Sequence, residues 1–120
     1  MRTLQHASLT EAEGRVLERL VERMREQLDL RAVWLYGSRA RGDPPRPGSD
    51  IDVLVITRGD SERDFDHAYD LLYDVATNDA SPVGFSVQVH DEQWLERRHA
   101  VGSFYIREVD HDKVVLFETR

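Results

Sequence analysis

Two short strand-forming runs, and the residues that separate them, constrain this chain more than anything else in it. Leu35 to Ile56 reads LYGSRARGDPPRPGSDIDVLVI. The run RAVWLYG is β-prone and stops at Gly37, as a buried strand would. Ser38 is a good cap for a first helical turn over SRARG, which Gly42 and three prolines then end. The loop DPPRPGS is stiff and extended, because proline holds φ and pushes the residue before it away from helix. DIDVLVI alternates at its start and then becomes wholly apolar, the pattern of a central strand.

The flanking segments predict what packs on these strands. From Thr10 to Leu28, apolar Val16, Leu17, Leu20, Val21, Met24 and Leu28 recur at spacings of three and four, predicting an amphipathic helix. Two capping boxes compete for its start, Ser8 with Glu11 and Thr10 with Glu13. Ser61 to Thr77 predicts a second helix, with Phe65, Ala68, Leu72 and Val75 inward and Asp64, Asp66, Asp70 and Asp74 on its solvent side. GFSVQVH alternates as a third strand. DEQWLERR carries acids in its first turn and Arg97 and Arg98 in its last, which suits a helix dipole. GSFYIREV predicts a short helix, and KVVLFE a final strand or extended tail. The expected fold class is α/β (α+β): one domain over residues 1–120, with a small mixed sheet and helices packed on it.

Composition narrows the function. The net charge of -7 argues against a nucleic-acid polymer as main partner, because phosphate neutralisation supplies most of such affinity. Small phosphorylated ligands or a basic protein fit better. The absence of cysteine removes disulfides, thiolate metal sites and cysteine nucleophiles. No apolar run approaches the ~20 residues of a membrane span, and MRTLQHASLT lacks the apolar core of a secretory signal. The cytoplasm is the expected location.

Residues two apart on a strand share a face, with Cα atoms roughly 6.6 Å apart. Asp50 and Asp52 can therefore converge on one cation while Ile51 and Val53 face a core. Mg²⁺ takes a few carboxylates together with phosphate oxygens and water, so this pair is half of a nucleotide site. Gly37 lets a ligand approach the backbone, and Ser38 supplies a hydroxyl and the amides of a helical turn. Arg39 or Arg41 can reach a phosphate bidentately, and Ser49 lies beside the doublet. Cation and phosphates side by side serve nucleotidyl transfer, with an acceptor hydroxyl attacking in line.

Gly37-Ser38, then eleven residues, then Asp50-Ile51-Asp52, with Ala40-Arg41-Gly42 between, closely resembles the minimal nucleotidyltransferases of the DNA polymerase β superfamily. These small domains commonly occur as the antitoxin beside a HEPN-domain toxin. The resemblance implies Mg²⁺ at Asp50 and Asp52, the two catalytic carboxylates, and a nucleoside triphosphate, most often ATP. It also implies a sheet with the site at the Gly-Ser turn and the two-aspartate strand. Gly37, Ser38, Arg39, Arg41 and Ser49 are the nucleotide-binding candidates. The implied acceptor is a tyrosine hydroxyl on the partner toxin, which receives AMP and loses its RNase activity. Superfamily members usually add a third carboxylate from a neighbouring strand. Here GFSVQVH offers Ser86, Gln88 and His90 on its polar face, and Asp79 and Asp91 lie outside it.

Other readings compete. The chain could neutralise a HEPN protein by occlusion alone, or act on a small-molecule hydroxyl as aminoglycoside-modifying relatives do. Arg41 could simply pair with Asp43, and Arg39 could be a surface residue. His67, Asp70 and Asp74 share a helix face but read as a solvated one. His90 could face the site. Trp34, Phe85, Trp94, Phe104 and Tyr105 read as core or interface aromatics.

Overall fold

Thr10 begins the first helix because its hydroxyl accepts from the Glu13 amide at 3.1 Å while Glu13 Oε1 accepts from the Thr10 amide at 2.9 Å. Of the two capping boxes, this one forms. The computed structural model describes residues 2–120. In chain order its elements are α1 (Glu11–Gln27), β1 (Leu30–Tyr36), α2 (Gly37–Arg41), β2 (Ile51–Thr57), α3 (Ser61–Val75), β3 (Phe85–Asp91), α4 (Glu92–Ala100), α5 (Phe104–Asp112) and β4 (Val114–Glu118).

The strands form one mixed sheet in the order β3-β2-β1-β4. β1 runs antiparallel to β2 and β4, whereas β2 and β3 are parallel and joined through α3. KVVLFE is therefore a paired strand, the second of the two forms expected for it being excluded. Both central strands are covered on two faces, which is why β2 becomes continuously apolar after Asp52. Val33, Leu35, Ile51, Val53, Val55, Val87 and Val89 pack against α1 and α3. Ala32, Trp34, Leu54 and Ile56 pack against α5, with Trp94 and Leu95 of α4 beside them.

The second long helix differs from its expected faces. Phe65 is 42% exposed, and Leu71 takes the buried place beside Ala68, Leu72 and Val75. Asp64, expected in solvent, is buried because its Oδ2 accepts from the Thr57 hydroxyl at 2.6 Å, tying the end of β2 to the start of α3. Gly59 makes room for that carboxylate: a Cβ there would lie 2.8 Å from Asp64 Oδ2. Among the described residues, no helix is long and apolar enough to cross a membrane.

Candidate functional site

The antiparallel register sets Tyr36, the last residue of β1, opposite Asp52, the second residue of β2. Gly37 then turns the chain directly over Asp52. Its φ is +80°, and a Cβ there would lie 2.6 Å from Asp52 Oδ2. A side chain would be strained by the backbone and would collide with the carboxylate, so glycine is what lets the turn close on the strand. The Gly-Ser turn and the acidic doublet thus share one side of the molecule.

Asp50 precedes β2 and is exposed, while Asp52 is half-buried. Burial lifts the Asp52 carboxyl above the ordinary aspartate range, and the charge of Asp50 adds to the shift. No hydrogen bond or cation among the described residues offsets that burial. A half-buried carboxylate without a partner is costly, and a bound cation would relieve it. The donors are hard carboxylate oxygens, the chemistry that Mg²⁺ and similar divalent ions take. Among the described residues, no group of three or more His, Cys, Asp or Glu side chains is arranged to hold a metal, so Asp50 and Asp52 would need ligand oxygens or water to complete a coordination shell.

Along the Gly-Ser turn and the loop that leads to Asp50 lies an open cleft of about 690 Å³, lined by Ser38, Arg41, Asp43, Pro44, Pro45, Arg46 and Ser49. Its size suits a small-molecule ligand. Ser49 Oγ accepts from the Arg46 amide at 3.3 Å, which curls the loop end towards Asp50. Arg41 lies on the cleft wall but is already engaged. It donates to Asp43 at 3.0 Å and to buried Asp112 of α5 at 2.7 Å, and these two contacts raise its pKa.

Arg39 requires a correction. Expected either at a phosphate or on the surface, it is only 7% exposed and faces the other way. Its guanidinium grips Glu13 bidentately, at 2.8 and 3.1 Å, and donates to the Ser8 carbonyl at 2.6 Å. One turn of helix separates the sides of α2, so Ser38 and Arg41 border the cleft while Arg39 locks α2 to α1. The same Glu13 caps α1.

The inner wall of the site consists of Tyr36, which the sequence left unassigned, Tyr105, expected as a core or interface aromatic, and Gln88, expected on the polar face of β3. Tyr105 of α5 donates its hydroxyl to Tyr36 at 2.8 Å and lies 3.5 Å from Gln88 Oε1 of β3. The two phenol rings meet edge to face, 5.8 Å between centroids. Burial raises the pKa of both phenols, so both stay neutral; the nearby Asp52 charge adds to this. The parity of Tyr36 beside Gly37 was a signal for its part in this wall, but only with the strand register in hand. Nothing local marks Tyr105. On β3 the residue level with Asp52 is Ser86.

His90 lies elsewhere. It is level with Ile56, four residues along β2 from Asp52, and stacks on Trp94 with ring centroids 3.8 Å apart. His67 is bonded to Gln27 at 2.7 Å, and Asp74 stands 3.9 Å from Arg23.

Comparison with known proteins gives this geometry its context. A family model described as a nucleotidyltransferase domain matches residues 17–115, which include the turn, the doublet, β1 to β3 and the first two residues of β4. A crystal structure of a candidate nucleotidyltransferase from Sulfolobus solfataricus is similar over 86% of this chain and 78% of its own, at 28% identity and a TM-score of 0.52. A mutant of the toxin-antitoxin pair MntA-HpeT provides a second likeness, of fold alone: 19% identity, 87% of this chain, 73% of the other, TM-score 0.54. No curated protein matches the chain.

Proposed function

We propose, from the premise that this chain belongs to the nucleotidyltransferase domain family, that it moves AMP from ATP to a tyrosine hydroxyl of a HEPN-domain toxin and so acts as an antitoxin. On this reading residues 1–120 form a single catalytic domain that works in the cytoplasm. Asp50 and Asp52 hold Mg²⁺, and the nucleotide phosphates lie along Gly37, Ser38 and Ser49, with Arg41 at the edge of the cleft. The reacting hydroxyl oxygen forms a bond to the α-phosphorus as the bond to the bridging oxygen of pyrophosphate breaks, and the hydroxyl proton passes to water. Bound Mg²⁺ would neutralise charge on the phosphate oxygens.

The observation that carries the reading is the contact of the turn with the strand: Gly37 closes over an Asp52 carboxylate that is half-buried and has no side-chain partner among the described residues. A protein acceptor is favoured because MntA-HpeT, whose fold is similar, is a toxin-antitoxin pair. The test is incubation with Mg²⁺, labelled ATP and the product of the adjacent reading frame. Label should appear on that neighbour and disappear in Asp50→Asn and Asp52→Asn. Equal labelling by both variants would end the assignment.

A second reading has one observation of its own. Ser86, not an acid, stands level with Asp52 on β3, so the carboxylate set is two. A silent antitoxin that occludes its toxin would keep the fold and leave those two unused. It predicts a complex that forms without nucleotide or metal, and a partner of unchanged mass.

A further inference from the structure

Across the sheet, Tyr36 stands on β1 and Gln88 on β3, with β2 between them. Neighbouring strands are about 4.8 Å apart, so groups on β1 and β3 meet only by reaching over β2. Tyr105, descending from α5, joins them: its hydroxyl is 2.8 Å from that of Tyr36 and 3.5 Å from Gln88 Oε1. The residues of β2 beneath this bridge are those paired with Tyr36 and Gln88, namely Asp52 and Leu54. The bridge of hydroxyls therefore crosses β2 at the level of Asp52 and Leu54.

Proton counting gives the bridge a direction. A phenol has one proton to donate and can also accept. The Tyr105 proton can go to Tyr36 or to Gln88, not to both, and the contact with Tyr36 is much the shorter. Tyr36 has then accepted a hydrogen bond and still carries its own proton. That proton has no acceptor among the described residues, and the group nearest it in register, Asp52, carries no hydrogen bond either. A neutral donor leaves Asp52 free for a cation, where a lysine or arginine would pair with it and fill the site.

We propose that Tyr36 is a ligand-binding residue of this site, its hydroxyl donating to a phosphate oxygen of the nucleotide held at Asp52, and that Tyr105 is a positioning residue that holds Tyr36 in that orientation. This rests on the nucleotidyltransferase reading above and adds to it a donor on the inner wall, where Ser86 and Gln88 offer no carboxylate. The alternative orientation, Tyr36 to Tyr105 to Gln88, consumes every proton and leaves none for a ligand. An oxyanion arriving beside Asp52 selects the first orientation and breaks only the 3.5 Å contact.

The test uses Mg²⁺ with α,β-methylene ATP, which binds without transferring, in calorimetric titrations of the full chain. Tyr36→Phe keeps the ring and removes the proton, and it should weaken the analogue by about 10-fold, the scale of one hydrogen bond to a charged group. Tyr105→Phe should weaken it less, about 2- to 3-fold, since Tyr36 keeps its proton but loses its orientation. A purely structural pair would show the reverse sign of evidence, a lowered melting temperature with affinity unchanged. Binding by Tyr36→Phe within 2-fold of the parent overturns the inference. Asp52→Asn separates the two failures: if it abolishes binding while Tyr36→Phe does not, the inference falls and the nucleotide site stands. Should Asp52→Asn bind as the parent does, or the parent not bind at all, the site reading falls and the inference with it.

Discussion

A Cβ placed on Gly37 would lie 2.6 Å from Oδ2 of Asp52, closer than any real side chain tolerates. Fourteen residues of loop and short helix separate the end of β1 from the start of β2, yet the turn and the carboxylate are in contact because the antiparallel register sets Tyr36 against Asp52.

Gly37→Ala should therefore lose stability twice over. The left-handed backbone costs roughly 1–2 kcal/mol, and the contact with Asp52 adds to it. In an Asp52→Ala background the collision disappears and only the backbone cost remains. Thermal melts of the four proteins of this cycle check the coupling. An equal loss in both backgrounds would show that the turn and the strand do not touch.

Asp52 sets a pH dependence whose sign follows from its raised pKa. The folded state binds the proton more readily than the unfolded chain, whose aspartates titrate at the ordinary value of 3.8. The contribution of this group to stability is thus fully present below that value and is lost as pH rises through the higher folded pKa. Asp52→Asn, which imitates the protonated form, should melt higher than the parent at pH 7, with the difference shrinking as the pH approaches 4. A lower melting temperature for the variant at pH 7 would contradict the unpartnered burial of this carboxylate.

Arg39 and Glu13 form a largely buried ion pair, and removing one partner leaves the other uncompensated. Arg39→Met should cost roughly 3 kcal/mol of stability, read by urea denaturation. Its affinity for Mg²⁺ with ATP, measured on the folded fraction, should stay at the parent value because the guanidinium faces α1 and not the cleft. Lost affinity with stability intact would return Arg39 to the phosphate side.

Ser86→Asp places a third carboxylate level with Asp52 on the parallel neighbour. Divalent-ion affinity should rise several-fold by calorimetry, and labelling of an acceptor should rise with it if the two-acid set limits the rate. Unchanged metal affinity would mean that position 86 does not look into the site.

Much of the fold was legible because the relevant signals are local. Helix periodicity, the Thr10–Glu13 box and the alternation of GFSVQVH act within a few residues of chain, and each element formed close to where those signals put it. Where tertiary contacts outweighed the local pattern, the expectations failed. Asp64 sits among acidic residues on a helix and looks solvated, until Thr57 and the gap at Gly59 offer it a buried partner.

The same division runs through the candidate site. Gly37, Ser38, Asp50 and Asp52 announce themselves by spacing, because one tight turn and one strand parity suffice to define them. Arg39 and Arg41 are two apart and chemically identical, so nothing local separates them. The position of α1 does, by giving Arg39 a carboxylate and leaving Arg41 to the cleft.

By itself, then, the sequence determined the strand–turn–strand frame, its acidic doublet and the helices around it, since these depend on neighbours in the chain. The tertiary structure alone decided which arginine faces the cleft, and that Tyr36, Tyr105 and Gln88, from three separate elements, meet across β2 at the level of Asp52 and Leu54. The reason is that strand order and helix packing bring together groups such as Tyr36 and Tyr105, 69 residues apart, and no pattern within a single segment records such a meeting.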